Sequence, residues 1–525
     1  MNTKLLFAAI ILLCSLAGNA QTTSRTSEVN SDSLVVNQRT QAIRDSLNAI
    51  MDKAKAGDAS AMNEVGTWYY TGKHVKKDYT QAYEWWKKAS LKSNVRAIAN
   101  LGICYQLGRG VERDSVDAVR LYEKSIKEGN STLLNQRTKN TSKSAFDAIL
   151  VGNCYENGVG VKKDYEKAAG FYAQATLMGS VDGMRQAGLC YLNAKDNVKA
   201  LSYFEKGAAK EDLSSEYWAG KMLLGGMNVP VNKQQAVVYL LKAAEGGMAA
   251  AQVEMGALYA EGNGVTKNLA QAAEWYRKSA LLGNSKGMWN YGNILKDGIG
   301  ATQDYDQALF WMSEAATQGY QRAFRNMITQ LDSVGTNPFL NYVRGMRFYL
   351  VDGKMKDANA QFKKVEKAKI EEGKIMQSVI LASKRNEKPN AKKAAKELEK
   401  LASVNSEASF YLATLYETGN GVAQNMARAI ELYRKASDMG YGKAQSYLAD
   451  IYYEGRGVDK DLITAVALYQ KALENRQLSQ NGATRLAECY ENGLAGLPKD
   501  KKKAEQLRKE KYQNNLFTIL KDIDL

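Results

Sequence analysis

Small and apolar residues recur at intervals of three and four along most of the chain, in short blocks separated by glycine-containing turns. Met255, Leu258 and Tyr259 mark one block, and Leu448, Ile451 and Tyr452 another. This spacing predicts amphipathic helices. A second kind of block alternates with the first. It carries Ala, then a large side chain three or four residues later: Ala82 with Trp85 and Trp86, Ala272 with Trp275 and Tyr276, Ala308 with Trp311, Ala429 with Leu432 and Tyr433. Between the two stands a Gly-x-Gly, as in Gly108-Arg109-Gly110 and Gly262-Asn263-Gly264. Glycine tolerates the left-handed backbone that ends a helix. Three residues past the small apolar residue that follows comes Asp or Asn: Asp78, Asp114, Asp164, Asn268, Asp304, Asn425 and Asp461. Each is placed to cap the next helix.

The pattern is a repeat. Gly66, Gly102, Gly152, Gly188, Gly220, Gly256 and Gly292 hold one position, at steps of 36, 50, 36, 32, 36 and 36 residues. Ala413, Ala449 and Ala487 continue it at steps of 36 and 38. Three residues on from most of these stands a tyrosine, such as Tyr69, Tyr105, Tyr155, Tyr259, Tyr416 or Tyr452. A two-helix unit of this size cannot bury its apolar face alone, whereas stacked units can. The expected fold is therefore all-α, a right-handed superhelical solenoid of antiparallel helix pairs. The motif resembles the Sel1-like repeat, a relative of the tetratricopeptide repeat, over residues 59–319 and 407–498 and more loosely between. That resemblance implies an adaptor or scaffold acting through protein-protein interaction.

Residues 1–20 read as a signal peptide: Lys4, an apolar run from Leu5 to Leu16, and a small-residue site at Gly18-Asn19-Ala20. The run is short for a membrane span. Cys14 follows Leu13 rather than a small residue, which argues against lipidation. The segment's ending resembles those common in exported Bacteroidota proteins. Residues 21–38 are rich in Ser, Thr and Asn and are expected to be flexible. A capping helix is expected over 39–58, a repeat array over 59–322 with a loop insertion at 129–143, and degenerate tetratricopeptide-like pairs over 323–404. Repeats resume over 405–498, and 499–525 form a charged capping helix and tail.

Chemistry is sparse. His74, the one histidine, stands where other repeats carry the second glycine, and reads as a turn residue. A single His cannot build a multi-histidine metal site. Cys104, Cys154, Cys190 and Cys489 share one slot that elsewhere holds Trp68, Leu258 or Ile451, so they read as small apolar core residues. Equivalent positions in stacked helices lie roughly 9 Å apart, beyond the limit of about 7 Å between Cα atoms for a disulfide. Free thiols are expected, unlike the cysteine-stapled subgroup of Sel1-like proteins. The glycine pairs recur between helices and read as turns, not as phosphate loops, which open a helix after a strand. Glu371-Glu372 reads as charged helix surface. No catalytic, cofactor-binding or metal-binding residue is assigned, no cofactor is expected, and the chain is read as a non-enzyme.

Charge qualifies this picture without overturning it. The 525 residues carry a formal net charge of +16. Residues 354–400 hold 14 Lys or Arg against 7 Asp or Glu. Nucleic acid is disfavoured by the export signal and the absence of a nucleic-acid module. The functional expectation is a non-enzymatic interaction scaffold of the bacterial cell envelope, periplasmic first and surface or extracellular second. It would bind a protein or peptide along the solenoid. The alternative is a carbohydrate- or cell-wall-binding accessory protein, recognisable by an exposed aromatic cluster. An acidic polysaccharide or anionic surface is a further candidate partner.

Overall fold

The computed structural model describes residues 26–333, 337–509 and 515–521, and places them in helices and short turns. The chain divides into two units, residues 1–200 and 201–525. In the first lie α1 (Thr26–Lys55), α2 (Ala59–Thr71), α3 (Tyr79–Ser90), α4 (Val95–Leu107), α5 (Ser115–Lys127), α6 (Ser131–Thr138), α7 (Ala145–Asn157), α8 (Tyr165–Leu177) and α9 (Val181–Asn193). The division falls within α10 (Asn197–Ala208). The second unit continues with α11 (Leu213–Gly225), α12 (Lys233–Glu245), α13 (Ala249–Glu261), α14 (Leu269–Leu281), α15 (Ser285–Asp297), α16 (Tyr305–Ala315), α17 (Gln321–Ser333), α18 (Pro338–Arg347) and α19 (Met355–Lys367). It then runs through α20 (Glu371–Ala382), α21 (Ala391–Leu401), α22 (Ser406–Thr418), α23 (Met426–Asp438), α24 (Gly442–Glu454), α25 (Leu462–Glu474), α26 (Gln480–Asn492), α27 (Lys501–Lys509) and α28 (Asn515–Lys521).

Local chemistry explains the turns. Asp114 holds extended backbone and accepts from the Val116 and Asp117 amides at 2.8 and 3.0 Å, capping α5. Such a cap contributes about 0.5–2 kcal/mol. Gly108 ends α4 in the left-handed region, and its N–H donates to the Cys104 carbonyl. The second glycine, Gly110, is required for another reason. A Cβ there would lie 2.2 Å from the Tyr79 carbonyl oxygen of the preceding repeat.

The glycine inside the first helix of each repeat sets how closely the pair packs. A Cβ on Gly102 would sit 2.8 Å from the Tyr122 ring, one on Gly152 2.6 Å from Tyr172, and one on Gly256 2.7 Å from Tyr276. Tyr122, Tyr172, Tyr433 and Tyr469 are fully buried, yet each phenol reaches a polar group on the preceding helix. Tyr122 donates to Gln106, Tyr172 to Glu156 and Tyr433 to Glu417, each 16 residues back, at 2.7–2.8 Å. Tyr469 donates to Asp450 at 2.6 Å. A buried hydroxyl without such a partner costs about 1–3 kcal/mol, so these acceptors belong to the repeat as much as the tyrosines do. The tyrosines of the first helices, such as Tyr105, Tyr155 and Tyr259, are only half-buried.

Several boundaries differ from expectation. Residues 26–38, expected to be flexible, are the first part of the 30-residue helix α1. Propagating a helix that is already nucleated gains one hydrogen bond per residue fixed. The signal peptide expected over 1–20, and residues 21–25, lie outside the described residues. The insertion at 129–143 is not a bare loop. It holds α6, whose Leu133 and Leu134 are buried against Tyr122, Leu150 and Val151. Arg137 from α6 pairs with Asp147 of α7 at 2.8 Å, with both side chains largely buried. The stretch over 323–404 keeps the packing device without the turn motif: a Cβ on Gly345 would meet Phe362 at 2.6 Å. Gln318 and Gly319 leave helical geometry and so separate α16 from α17. Within the expected tail, residues 515–521 form a packed helix. Helix α28 packs on α16 and α18, and Leu516, Ile519 and Leu520 join the core containing Leu340, Tyr342 and Phe362.

Cys104, Cys154, Cys190 and Cys489 are free and buried. Burial pushes the thiols of Cys104, Cys154 and Cys190 up to about 12 and raises that of Cys489. Since the thiolate is the reactive form, all four should resist a thiol-specific disulfide reagent in the native protein at mildly alkaline pH. All four should react once guanidinium unfolds the chain, as counted by absorbance of the released thiolate.

Candidate functional site

The second unit brings together side chains far apart in sequence. Lys443, in the first turn of α24, places its Nζ 3.3 Å from Oδ2 of Asp306, in the first turn of α16 and 137 residues away. Gln477 donates to Gln307 at 3.2 Å across 170 residues. The backbone N–H of Tyr305 donates to Oε1 of Glu372, at the start of α20, at 2.9 Å. The N-terminal turns of α16, α20, α22 and α24 therefore surround one cavity of about 410 Å³. Its walls include Asp304, Asp306, Glu372, Glu407, Tyr441 and Trp311.

Four helix N-termini explain why acids collect here. Each exposes amides with no partner in the helix and the positive end of its dipole. Asp304 caps α16 by accepting from the Gln307 amide at 2.9 Å, and Glu372 serves Tyr305. The other acceptors are less fully used. Glu407 is 5% exposed, and its Oε1 has no hydrogen-bond partner. Tyr441, the residue that precedes α24, is 3% exposed, and its hydroxyl also lacks one.

Burial of so much like charge shifts the groups. Burial and then the neighbouring Asp306 raise Asp304 to about 6. Burial and then Asp304 raise Glu372 to about 7. Burial and then Asp306 hold Glu407 well above the usual carboxylate range, although Lys443 opposes this. Burial pushes the Lys443 ammonium down, but Asp306, Glu407 and Asp304 together keep its pKa above the ordinary lysine value. Lys443 thus stands among Asp306, Glu407 and Asp304, while Arg277, also on the cavity wall, lies 3.8 Å from Glu274. The arrangement offers hydrogen-bond acceptors and negative charge to a cation. Among the described residues no cluster of His, Cys, Asp and Glu has metal-holding geometry.

Sequence reasoning missed this site. Asp304 was legible as a helix cap and Glu371-Glu372 as surface. Asp304, Asp306, Glu372 and Glu407 lie on three helix starts whose meeting no local pattern reports. One signal was present: Glu407 and Lys443 occupy the same position of adjacent repeats, 36 residues apart and opposite in sign. His74 is exposed in a turn with φ 72°, edge-on to Trp68, as its place in the repeat predicts.

The comparisons with known proteins agree with the helix-pair architecture. The model of the Sel1 repeat matches ten segments: 59–94, 95–130, 148–180, 181–212, 213–248, 249–284, 285–320, 406–441, 442–476 and 481–507. The chain belongs to the Sel1 repeat family. A Sel1-repeat-containing protein of Escherichia coli K12, YjcO, is 31% identical over 210 residues, covering 37% of this chain and 81% of that protein. Among solved structures, c5321, a protective antigen present in uropathogenic E. coli strains and displaying an SLR fold, is 25% identical. That match covers 91% of this chain and 97% of c5321, at a TM-score of 0.36. A Sel1 repeat protein from Oxalobacter formigenes is 26% identical, covering 55% and 81%, also at 0.36. This Sel1 chain is an all-α, non-enzymatic repeat scaffold of the kind that mediates protein interactions. No helix among its described residues is long and apolar enough to cross a membrane.

Proposed function

We propose that this Sel1 protein docks a protein or peptide partner along its repeat surface, as an exported scaffold of the bacterial cell envelope. One observation carries the choice of partner class. Among residues 41–509 no described Trp, Tyr or Phe is exposed; all are buried or half-buried. The stacking platform expected of a carbohydrate-binding protein is therefore not offered by these residues. Polar and charged side chains make up most of the exposed positions, with aliphatic residues such as Leu91, Val116 and Leu177 scattered among them. Lys356, Lys363 and Lys367 of α19 and Lys392, Lys393 and Lys396 of α21 are exposed, while Lys374 and Lys400 are paired with Glu397 at 2.9 and 3.0 Å. This basic face suits an acidic stretch of a partner. The apolar run at residues 5–16 supports export.

Crosslinking of tagged full-length protein in living cells, followed by mass spectrometry, tests this. One dominant protein partner is expected. Its recovery should fall when Lys356, Lys363, Lys367 and Lys396 are changed to Glu. Recovery of glycan fragments without a stoichiometric protein would overturn the reading.

A further inference from the structure

We propose that the acidic cavity of the second unit is a receptor for an organic cation on an apolar stem, an alkylammonium or guanidinium group, supplied by a basic side chain of the docked partner. The inference rests on the scaffold reading for the source of the cation, but not for the chemistry of the cavity.

Three observations carry it. First, the walls are built for such a group. Carboxyl groups of Asp304, Asp306, Glu372 and Glu407 face the same space as the apolar surfaces of Leu281, Leu295, Trp311 and Met439. A lysine or arginine side chain has that division, an aliphatic stem and a charged head. Second, two acceptors are left over. Glu407 Oε1 and the Tyr441 hydroxyl are buried without partners. Unpaired buried polar atoms are uncommon in folded proteins and call for an explanation. Each can accept a hydrogen bond from an N–H donor that reaches it. Third, the site already holds one such cation of its own. Lys443 sets its ammonium beside Asp306 and 5.4 Å from the centre of the Tyr441 ring. Arg277 also lies on the wall, so the cavity accommodates cationic heads of both kinds.

The same chemistry is offered by a free amine, such as a polyamine, and by a peptide side chain. Two probes separate these sources: spermidine, and a fluorescent pentapeptide with one central lysine flanked by alanines. The same peptide with norleucine in place of lysine reports stem burial alone. Binding to the purified full-length chain is followed by equilibrium dialysis for spermidine and by anisotropy for the peptides.

One-to-one saturable binding of the lysine peptide is expected, with no binding of the norleucine peptide. Glu407→Gln keeps the shape of the side chain and removes its capacity to ionise against the entering cation. It should weaken binding by about tenfold or more, as loss of a charged hydrogen bond does. Tyr441→Phe should weaken it less. Unfolding midpoints of both variants show whether either change acts through folding. Saturable binding of spermidine alone would keep the cation site and assign it to a free amine. Equal binding of the lysine and norleucine peptides, or binding unchanged in both variants, would overturn the proposal. So would the absence of saturation with either cation. Failure to find a protein partner in cells, with cation binding intact, would instead count against the scaffold reading.

Discussion

Gly152→Ala will destabilise the first unit by about 2 kcal/mol, while Gly170→Ala, in the other helix of the same repeat, will stabilise it by up to about 1 kcal/mol. Both glycines are helical, so both substitutions gain helix propensity, and only their surroundings differ. A Cβ on Gly152 would lie 2.6 Å from Cε1 of Tyr172, closer than carbon atoms approach. Tyr172 cannot swing aside cheaply, because it is fully buried and its hydroxyl, which donates to Glu156, lies 2.7 Å from both Glu156 and Asn153. Alanine at 152 therefore forces the helices apart or breaks those hydrogen bonds. Gly170 is exposed, with nothing within 4 Å of its would-be Cβ. Equilibrium denaturation of the two variants beside the parent checks the pair. Equal effects of the same sign would mean that the repeat glycine is not a packing device.

Lys443→Met should cost about 1–3 kcal/mol at pH 8, less than for a fully buried pair because the Lys443 side chain is 37% exposed, and clearly less at pH 5. The difference follows from the acids around it. Glu372 and Asp304 have pKa values raised to about 7 and about 6. The folded state therefore holds protons that the unfolded chain has released. A group raised in this way favours folding fully below its unfolded value, and that contribution is lost as pH rises through the folded value. The window runs from about pH 4 to about pH 7. For Glu372, raised from 4.5 to about 7, the loss across the window is about 3 kcal/mol at 1.36 kcal/mol per unit. The parent's second unit should thus weaken from pH 5 to pH 8, and Lys443→Met should steepen that fall by removing the nearest positive charge. Denaturant midpoints at the two pH values measure it. A variant whose deficit is the same at both would show that Lys443 does not balance the carboxyl groups of the cavity.

These two cases also mark what could be read from the chain. Gly152, Gly108 and the caps at Asp114 and Asn268 act on neighbours within one repeat, and repetition makes such local contacts visible ten times over. The four buried cysteines were legible for the same reason, since one slot showed both Cys and plainly apolar residues. Leu133 and Leu134 of the insertion form too short an apolar pair to announce the helix that buries them. Leu516, Ile519 and Leu520 of α28 carried helical spacing, but nothing in it pointed back to α16 and α18. The cavity was least legible. Asp306, Glu407 and Lys443 look like ordinary first-turn charges, and only long-range stacking turns them into a shared, desolvated cluster.

That long-range meeting is what the cavity depends on, and a thiol crosslink tests it most directly. Gln307 and Gln477 hydrogen-bond at 3.2 Å. The four described cysteines are buried and should not compete. In a chain carrying Gln307→Cys and Gln477→Cys, a short bifunctional maleimide should yield an intramolecular crosslink in the monomer, with both positions recovered in one linked peptide. Crosslinks found only between separate chains, or two singly capped cysteines, would contradict the closure of the second unit and the site built on it.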